Sequence, residues 1–274
     1  MTDTKQKVRE FYDEIGWQQE ADGNYQNARY EDLRPVSAEY IHKTRLRVNE
    51  ELIRPGKLLL DAGSGPVQYD DYLTYSHGYE KRVCLDISIQ ALREARARLG
   101  EHGLFVVGDL ANLPFKAEAF DGEVSMHAIH HLPMEEHPRA YDELHRVLTP
   151  GRKGVIINGW YEPLLTQSAA PLISLLRRIT GRGPKKKKKW LTAQQPEGTF
   201  IARHTPAWLK REIGSKIPLE IRPWRSLSTE VLRWFVHPKL GGRFLLKVVF
   251  WLESVFPRFF AENGQYPMIV IQKK

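Results

Sequence analysis

Residues 58–66 read Leu58-Leu59-Leu60-Asp61-Ala62-Gly63-Ser64-Gly65-Pro66, a leucine run that meets an aspartate and then turns through two glycines. A short apolar run of this kind predicts a strand covered on both faces. Glycines directly after it let the backbone bend sharply and approach a ligand with no Cβ in the way. A helix starting just beyond would offer free N–H groups and the positive end of its dipole. By itself such a turn implies only a nucleotide-like ligand.

The segments downstream repeat the pattern. Arg82 to Ile87 predicts a second strand, ending in Asp86. Ser88 to Leu99 predicts a helix, with Ser88 as N-cap and Gly100 as its stop. Leu104 to Val107 is a third strand followed by Asp109, and Gly122 to His127 a fourth that runs into His130 and His131. Residues 135–148 carry Ala140, Tyr141, Leu144, Val147 and Leu148 on one helical face, before a fifth strand over Lys153 to Asn158. Apolar strands alternating with helices predict an α/β fold with a doubly wound, mostly parallel sheet. The polar groups sit at C-terminal strand ends, the edge where such sheets bind ligands. The turn has no third glycine, Val67 following Pro66, which disfavours the three-glycine fingerprint of a nicotinamide-dependent oxidoreductase.

The series LLLDAGSGP, VCLDIS, GDLANLPF, FDGEVSMHAIHHL and ELHRVLTPGRKGVIIN resembles class I S-adenosylmethionine-dependent methyltransferases, in the broad group that includes the ubiquinone and menaquinone biosynthesis enzymes. It covers residues 57–159 well, and the terminal YPMIVIQ matches the antiparallel last strand of that seven-stranded, Rossmann-like fold. The resemblance implies S-adenosyl-L-methionine as cofactor. Gly63, Ser64 and Gly65 would approach its methionine part, with Asp61 anchoring that end. Asp86, beside Ile87, would accept from the ribose hydroxyls, since a carboxylate suits a vicinal diol. Asp109 would meet the adenine amino group, with the Leu110 backbone assisting, and His127 would lie near the sulfonium.

The sulfonium is already a good electrophile, so the protein must align the acceptor, exclude water and, for a hydroxyl, take a proton. His130, with His127, is the candidate base or orienting group; packing or capping is the competing explanation of the His130-His131 pair. A metal site is not expected, because no matching carboxylate and cysteine set accompanies the histidines. No Asn-Pro-Pro-Tyr motif follows the fourth strand, which favours an O or C acceptor on a small-molecule or lipid-like substrate. Two readings remain beside this one: an RNA or protein methyltransferase docking through a basic region, and a non-catalytic S-adenosylmethionine-binding assembly protein.

The chain of 274 residues divides into a helical N-terminal lid (1–54), the binding core (55–160) and a basic helical elaboration carrying the final strands (161–274). Tyr12, Trp17, Tyr25 and Tyr30 are candidate lid aromatics, and Arg34 a partner for an acidic group. Residues 1–159 hold 20 Lys and Arg against 26 Asp and Glu; residues 160–274 hold 21 against 7. Arg177, Arg178, Arg182 and Lys185 to Lys189 cluster before an amphipathic helix at 239–260. That combination suggests an anionic membrane surface as partner, with nucleic acid less favoured and solvation alone the plain alternative. The single cysteine, Cys84, excludes an internal disulfide framework and suits a cytoplasmic protein. The polar N-terminus does not read as a secretory signal, and no apolar run is long enough to span a bilayer.

Overall fold

The computed structural model describes residues 2–18, 25–181 and 199–274. Helix α1 (Asp3–Phe11) runs into a π-helical turn, Tyr12–Gly16, and a 3-10 turn at Gln26–Tyr30 precedes α2 (Ala38–Leu46) and α3 (Val48–Glu51). The alternating part follows as β1 (Gly56–Ala62), α4 (Asp70–Leu73), β2 (Tyr79–Asp86), α5 (Ile89–Leu99), β3 (Gly103–Val107), β4 (Gly122–Met126), α6 (His137–Val147) and β5 (Lys153–Ile157). Beyond lie α7 (Leu164–Ile179), α8 (Pro206–Glu212), β6 (Leu219–Arg225), α9 (Thr229–Phe235), α10 (Gly242–Val255), α11 (Pro257–Asn263) and β7 (Tyr266–Gln272).

The seven strands form one sheet in the order β3-β2-β1-β4-β5-β7-β6. β7 alone is antiparallel to its neighbours β5 and β6. The strand order reverses between β1 and β4, the place where a doubly wound sheet opens a crevice. The C-terminal ends of β1, β2, β3, β4 and β6 and the N-terminal end of β7 share that edge.

Side chains alternate along β1, so Leu60 and Ala62 enter one layer of core with Ala140, Tyr141, Leu144 and Val147 of α6 and Leu209 of α8. Leu59 enters the other, with Val48 of α3, Tyr75 and Tyr79. Cys84 meets Leu92 and Ala95 of α5 on that second face. Burial on both faces is why Leu58, Leu59 and Leu60 of β1 run apolar without alternation. Ser88 caps α5 by accepting from the Ala91 N–H, and Gly100 ends it with a positive φ, as the sequence predicts.

Two helical stretches are each divided, the second of them expected as a single piece. Residues 37–53 break at Arg47, whose guanidinium reaches the Pro223 and Trp224 carbonyls and Glu253. Residues 239–260 break at Phe256, because Pro257 lacks an N–H and its ring clashes with the preceding turn. The short helices α4 and α9 were not expected. Among the described residues no helix is long and apolar enough to cross a membrane.

Candidate cofactor and acceptor site

The glycine turn is shaped by three residues in left-handed backbone: Gly63 (φ +73°), Gly65 (φ +53°) and Val67 (φ +53°). A Cβ at Gly63 would collide with the Ala128 methyl, and one at Gly65 would sit 2.9 Å from the Trp17 ring. The Gly63 and Ser64 N–H groups both donate to the Leu85 carbonyl, tying the turn to β2. Val67 keeps the backbone of the missing third glycine although a branched residue pays for that conformation. Its side chain is fully buried against Cys84, Leu92 and Ala95.

Above this turn lies a cavity of about 660 Å³. Gly63, Ser64, Gly65, Asp86, Ile87, Asp109, Leu110, His127 and His130 all line it. Asp86 accepts from the Gly65 N–H (2.8 Å) and the Ser88 N–H (2.9 Å). Each carboxylate oxygen keeps a second lone pair, so a diol can still be accepted. Burial raises its pKa to about 6, against those two backbone donors. Asp109 accepts from Ala111 N–H, from Asn112 and from Lys5 Nζ at 2.6 Å. Lys5, on α1 and 3% exposed, also pairs with Glu136.

Asp61 is placed differently from its expected role at the methionine end. It does not line the cavity. It lies on the Leu59 side of β1, where Arg82 Nε and Nη2 donate to it at 3.1 and 2.5 Å. Both side chains are at most 2% exposed, and Arg82 also holds the Tyr72 carbonyl. Asp61 therefore supports the turn from beneath, as half of a buried ion pair.

His127 also sits in left-handed backbone (φ +57°), with its N–H on the Ile157 carbonyl. Its ring meets the edges of Trp224 and Tyr266, and burial lowers its pKa to about 3. Burial holds His130 well below the ordinary histidine range too. His131 Nδ1–H donates to the Phe200 carbonyl, so Nε2 accepts from the Tyr12 hydroxyl, both at 2.8 Å. Neutral imidazoles with so little proton affinity orient a ligand well and remove a proton poorly.

The first part of the chain covers the cavity: Val8, Phe11, Tyr12, Trp17 and Tyr30 line it. Tyr12 stacks on Trp17 with ring centroids 5.0 Å apart. Tyr25 stands behind, edge-on to Trp17, and Arg34 pairs with Asp32 beside it. α3 instead packs on the sheet. Sequence reasoning missed Lys5, Glu31, Arg203, Arg225 and Tyr266, which also line the cavity. Arg225 ends β6 and Tyr266 begins β7, so the same strand-end rule that found Asp86 would have found both. Arg177 and Arg178 close α7, with Arg177 paired to Glu230; Arg182 and Lys185 to Lys189 lie outside the described residues.

A family model described as a methyltransferase domain matches residues 60–156, from β1 to β5. Residues 60–156 are a methyltransferase domain. Its strands, β1 to β5, belong to the seven-stranded, mostly parallel sheet. The chain is 32% identical over 124 residues to the 24-methylenesterol C-methyltransferase 2 of Arabidopsis thaliana, covering 40% of this chain and 33% of that protein. It is 32% identical over 125 residues to the Probable tRNA methyltransferase 9B of Bos taurus, covering 44% of this chain and 26% of that one. The chain thus spans about a third or less of these curated relatives. In fold, it is similar to the geranyl diphosphate C-methyltransferase of Streptomyces coelicolor A3(2), with a TM-score of 0.56, 14% identity, and coverage of 100% and 99%.

Proposed function

We propose that the chain binds S-adenosyl-L-methionine and transfers its methyl group to an O or C atom of a small-molecule or lipid-like acceptor. The observation that carries this is the lining of one cavity. The cavity brings Gly63, Gly65, Asp86 and Asp109 together with aromatic and basic residues and with His127 and His130. Its volume is within the usual range for ligand pockets.

The residues fit the cofactor. Gly63 and Gly65 bring the turn's backbone to the cavity wall, with Ala128 and the Trp17 ring packed where a Cβ would stand. Asp86 retains acceptor capacity for the ribose diol, and Asp109 for the adenine amino group. Bound there, S-adenosylmethionine supplies an electrophilic methyl on a sulfonium. Tyr12, Trp17 and Tyr266 add aromatic rings to the lining, and aromatic surroundings suit a cation. α1 and the aromatic turn after it cover part of the cavity. His127 and His130, neutral throughout the physiological range, orient the acceptor. Weak bases at this position suit an acceptor that needs little help losing a proton, such as an already ionised oxygen or an electron-rich carbon.

The acceptor class is also read from the surface. α7 leaves Leu172, Leu175 and Ile179 exposed, and α10 leaves Phe244 and Trp251 exposed. Basic Arg178, Arg243 and Lys247 accompany them on the same helices. An apolar face with basic flanks suits an anionic lipid surface and a lipid-like acceptor. RNA or protein methylation is the rival activity.

Incubation with methyl-labelled cofactor and separate lipid, small-molecule, RNA and protein pools tests the reading. Label in the lipid or small-molecule pool is expected; label confined to RNA or protein contradicts it.

A further inference from the structure

Charged groups are spread along the cavity. Asp86, closing β2, and Asp109, beyond β3, lie toward one end of the strand order and Arg225, closing β6, toward the other, and Lys5, Glu31, Arg203 and Glu230 line the cavity as well. Arg225, 2% exposed, lies against the Tyr266 ring (4.8 Å to the centroid) and pairs with Glu31. Glu31 is shared with Arg45 at 3.2 Å. Arg203 has no carboxylate: among the described residues it makes no ion pair and no hydrogen bond. Its Nε is shielded from solvent and has no partner, as are Arg225 Nε and the Nδ1 of His130, a ring 8% exposed.

The position of Arg203 is built. Phe200 O accepts from His131, the Ala202 N–H donates to the His130 carbonyl, and the Tyr161 N–H to the His204 carbonyl. Gly159 leaves room for the guanidinium, since a Cβ there would lie 3.1 Å from Nε. Arg203 lines the same cavity as His127, His130 and His131. A guanidinium stays charged at any working pH. Arg203 is half-buried, with Nε shielded and its terminal nitrogens not, so the guanidinium keeps free donors for a ligand anion.

We propose that this cavity holds an anionic group of the methyl acceptor, a carboxylate or a phosphate, through Arg203, with His130 Nδ1 as its neutral hydrogen-bonding neighbour. The inference rests on reading the cavity as a methyl-transfer site, and it adds the chemistry by which the acceptor is recognised. Held by its acidic group at the Arg203 wall, an acceptor extends past His127 toward the Gly63–Gly65 side, where the cofactor's methyl would be presented. Arg225, already paired with Glu31, closes the floor beneath it.

Calorimetry on the full chain saturated with S-adenosylhomocysteine tests this, with inorganic phosphate, pyrophosphate and octanoate as separate probes. At least one probe binds saturably, on the order of 1 mM or tighter, and the phosphate and carboxylate arms show which group is preferred. Arg203→Gln weakens that binding about tenfold or more, Arg203→Lys restores part of it, and S-adenosylhomocysteine affinity stays within about twofold. No saturable binding by any probe, or binding unchanged in both Arg203 variants, overturns the proposal while leaving the cofactor reading intact. Failure of the wild type to bind S-adenosylhomocysteine overturns the cofactor reading, and this inference with it.

Discussion

Asp86 is a carboxyl group placed to work as an acceptor yet buried enough to lose its charge early. Its pKa is raised to about 6 by desolvation, with Asp61 and Asp13 adding to the rise. The histidines of the cavity are pushed the other way, His127 to about 3 and His131 to about 4. A protonated carboxyl has less acceptor capacity for two hydroxyls. Cofactor affinity should therefore hold above about pH 7 and fall as pH drops through about 6; titration calorimetry across that range checks it. A flat profile there would show that Asp86 does not carry the diol. Glu123 on β4 gives a stability prediction of the same kind. It is 1% exposed, neither oxygen has a partner among the described residues, and burial raises its pKa well above the ordinary glutamate range. The folded state keeps a proton that the unfolded chain releases, so this group costs stability increasingly as pH rises above about 4.5. Glu123→Gln should leave Tm nearly unchanged at about pH 4 and raise it at about pH 8, read by thermal melts. Asp86 and Asp109 were legible in the sequence because each follows an apolar strand run directly. Asp61 has the same signature but a different fate, because its side of β1 faces Arg82. Only the register of β1 against β2 reveals that.

At the scale of elements, α1 is fastened to the sheet edge by a lysine that is almost fully buried. Lys5 bridges Asp109, beyond β3, and Glu136, before α6. Removing one partner of a buried pair leaves the other charges uncompensated, at a cost of about 3–5 kcal/mol. Lys5→Met should loosen the lid, speeding amide hydrogen exchange in α1 by about tenfold or more while leaving β1 and β4 protected. Unchanged protection of α1 would mean that Phe11, Tyr12 and Trp17 hold it without the ion pair. The parallel strands and α5, with its Ser88 cap and Gly100 stop, follow from local pattern. The lid contacts join residues more than a hundred positions apart, such as Tyr12 with His131, and nothing local announces them. Pro257 did announce the break between α10 and α11, but the apolar stripe running through it read as one helix.

At the scale of the molecule, the acidic and basic parts of the chain meet in one sheet, since β6 and β7 of the basic part extend the strands of the methyltransferase domain. Both parts thus bring charged groups to one cavity, Asp86 and Asp109 from the acidic part and Arg203 and Arg225 from the basic part. Outside the cavity, exposed Phe244 and Trp251 should help dock the protein on vesicles containing anionic lipid. Replacing both with Ser should reduce sedimentation with such vesicles severalfold, and salt should weaken binding of the wild type. Equal sedimentation with neutral and anionic vesicles would remove the membrane from the account.

The central claim is that Asp86 and the Gly63–Gly65 turn hold S-adenosylmethionine, and calorimetric titration of S-adenosylhomocysteine into wild type and Asp86→Ala tests it most directly. One site per chain is predicted for the wild type, weakened about a hundredfold or more in the variant, because two hydrogen bonds to a charged group are lost. No binding to the wild type, or equal binding to a folded Asp86→Ala protein, would contradict it.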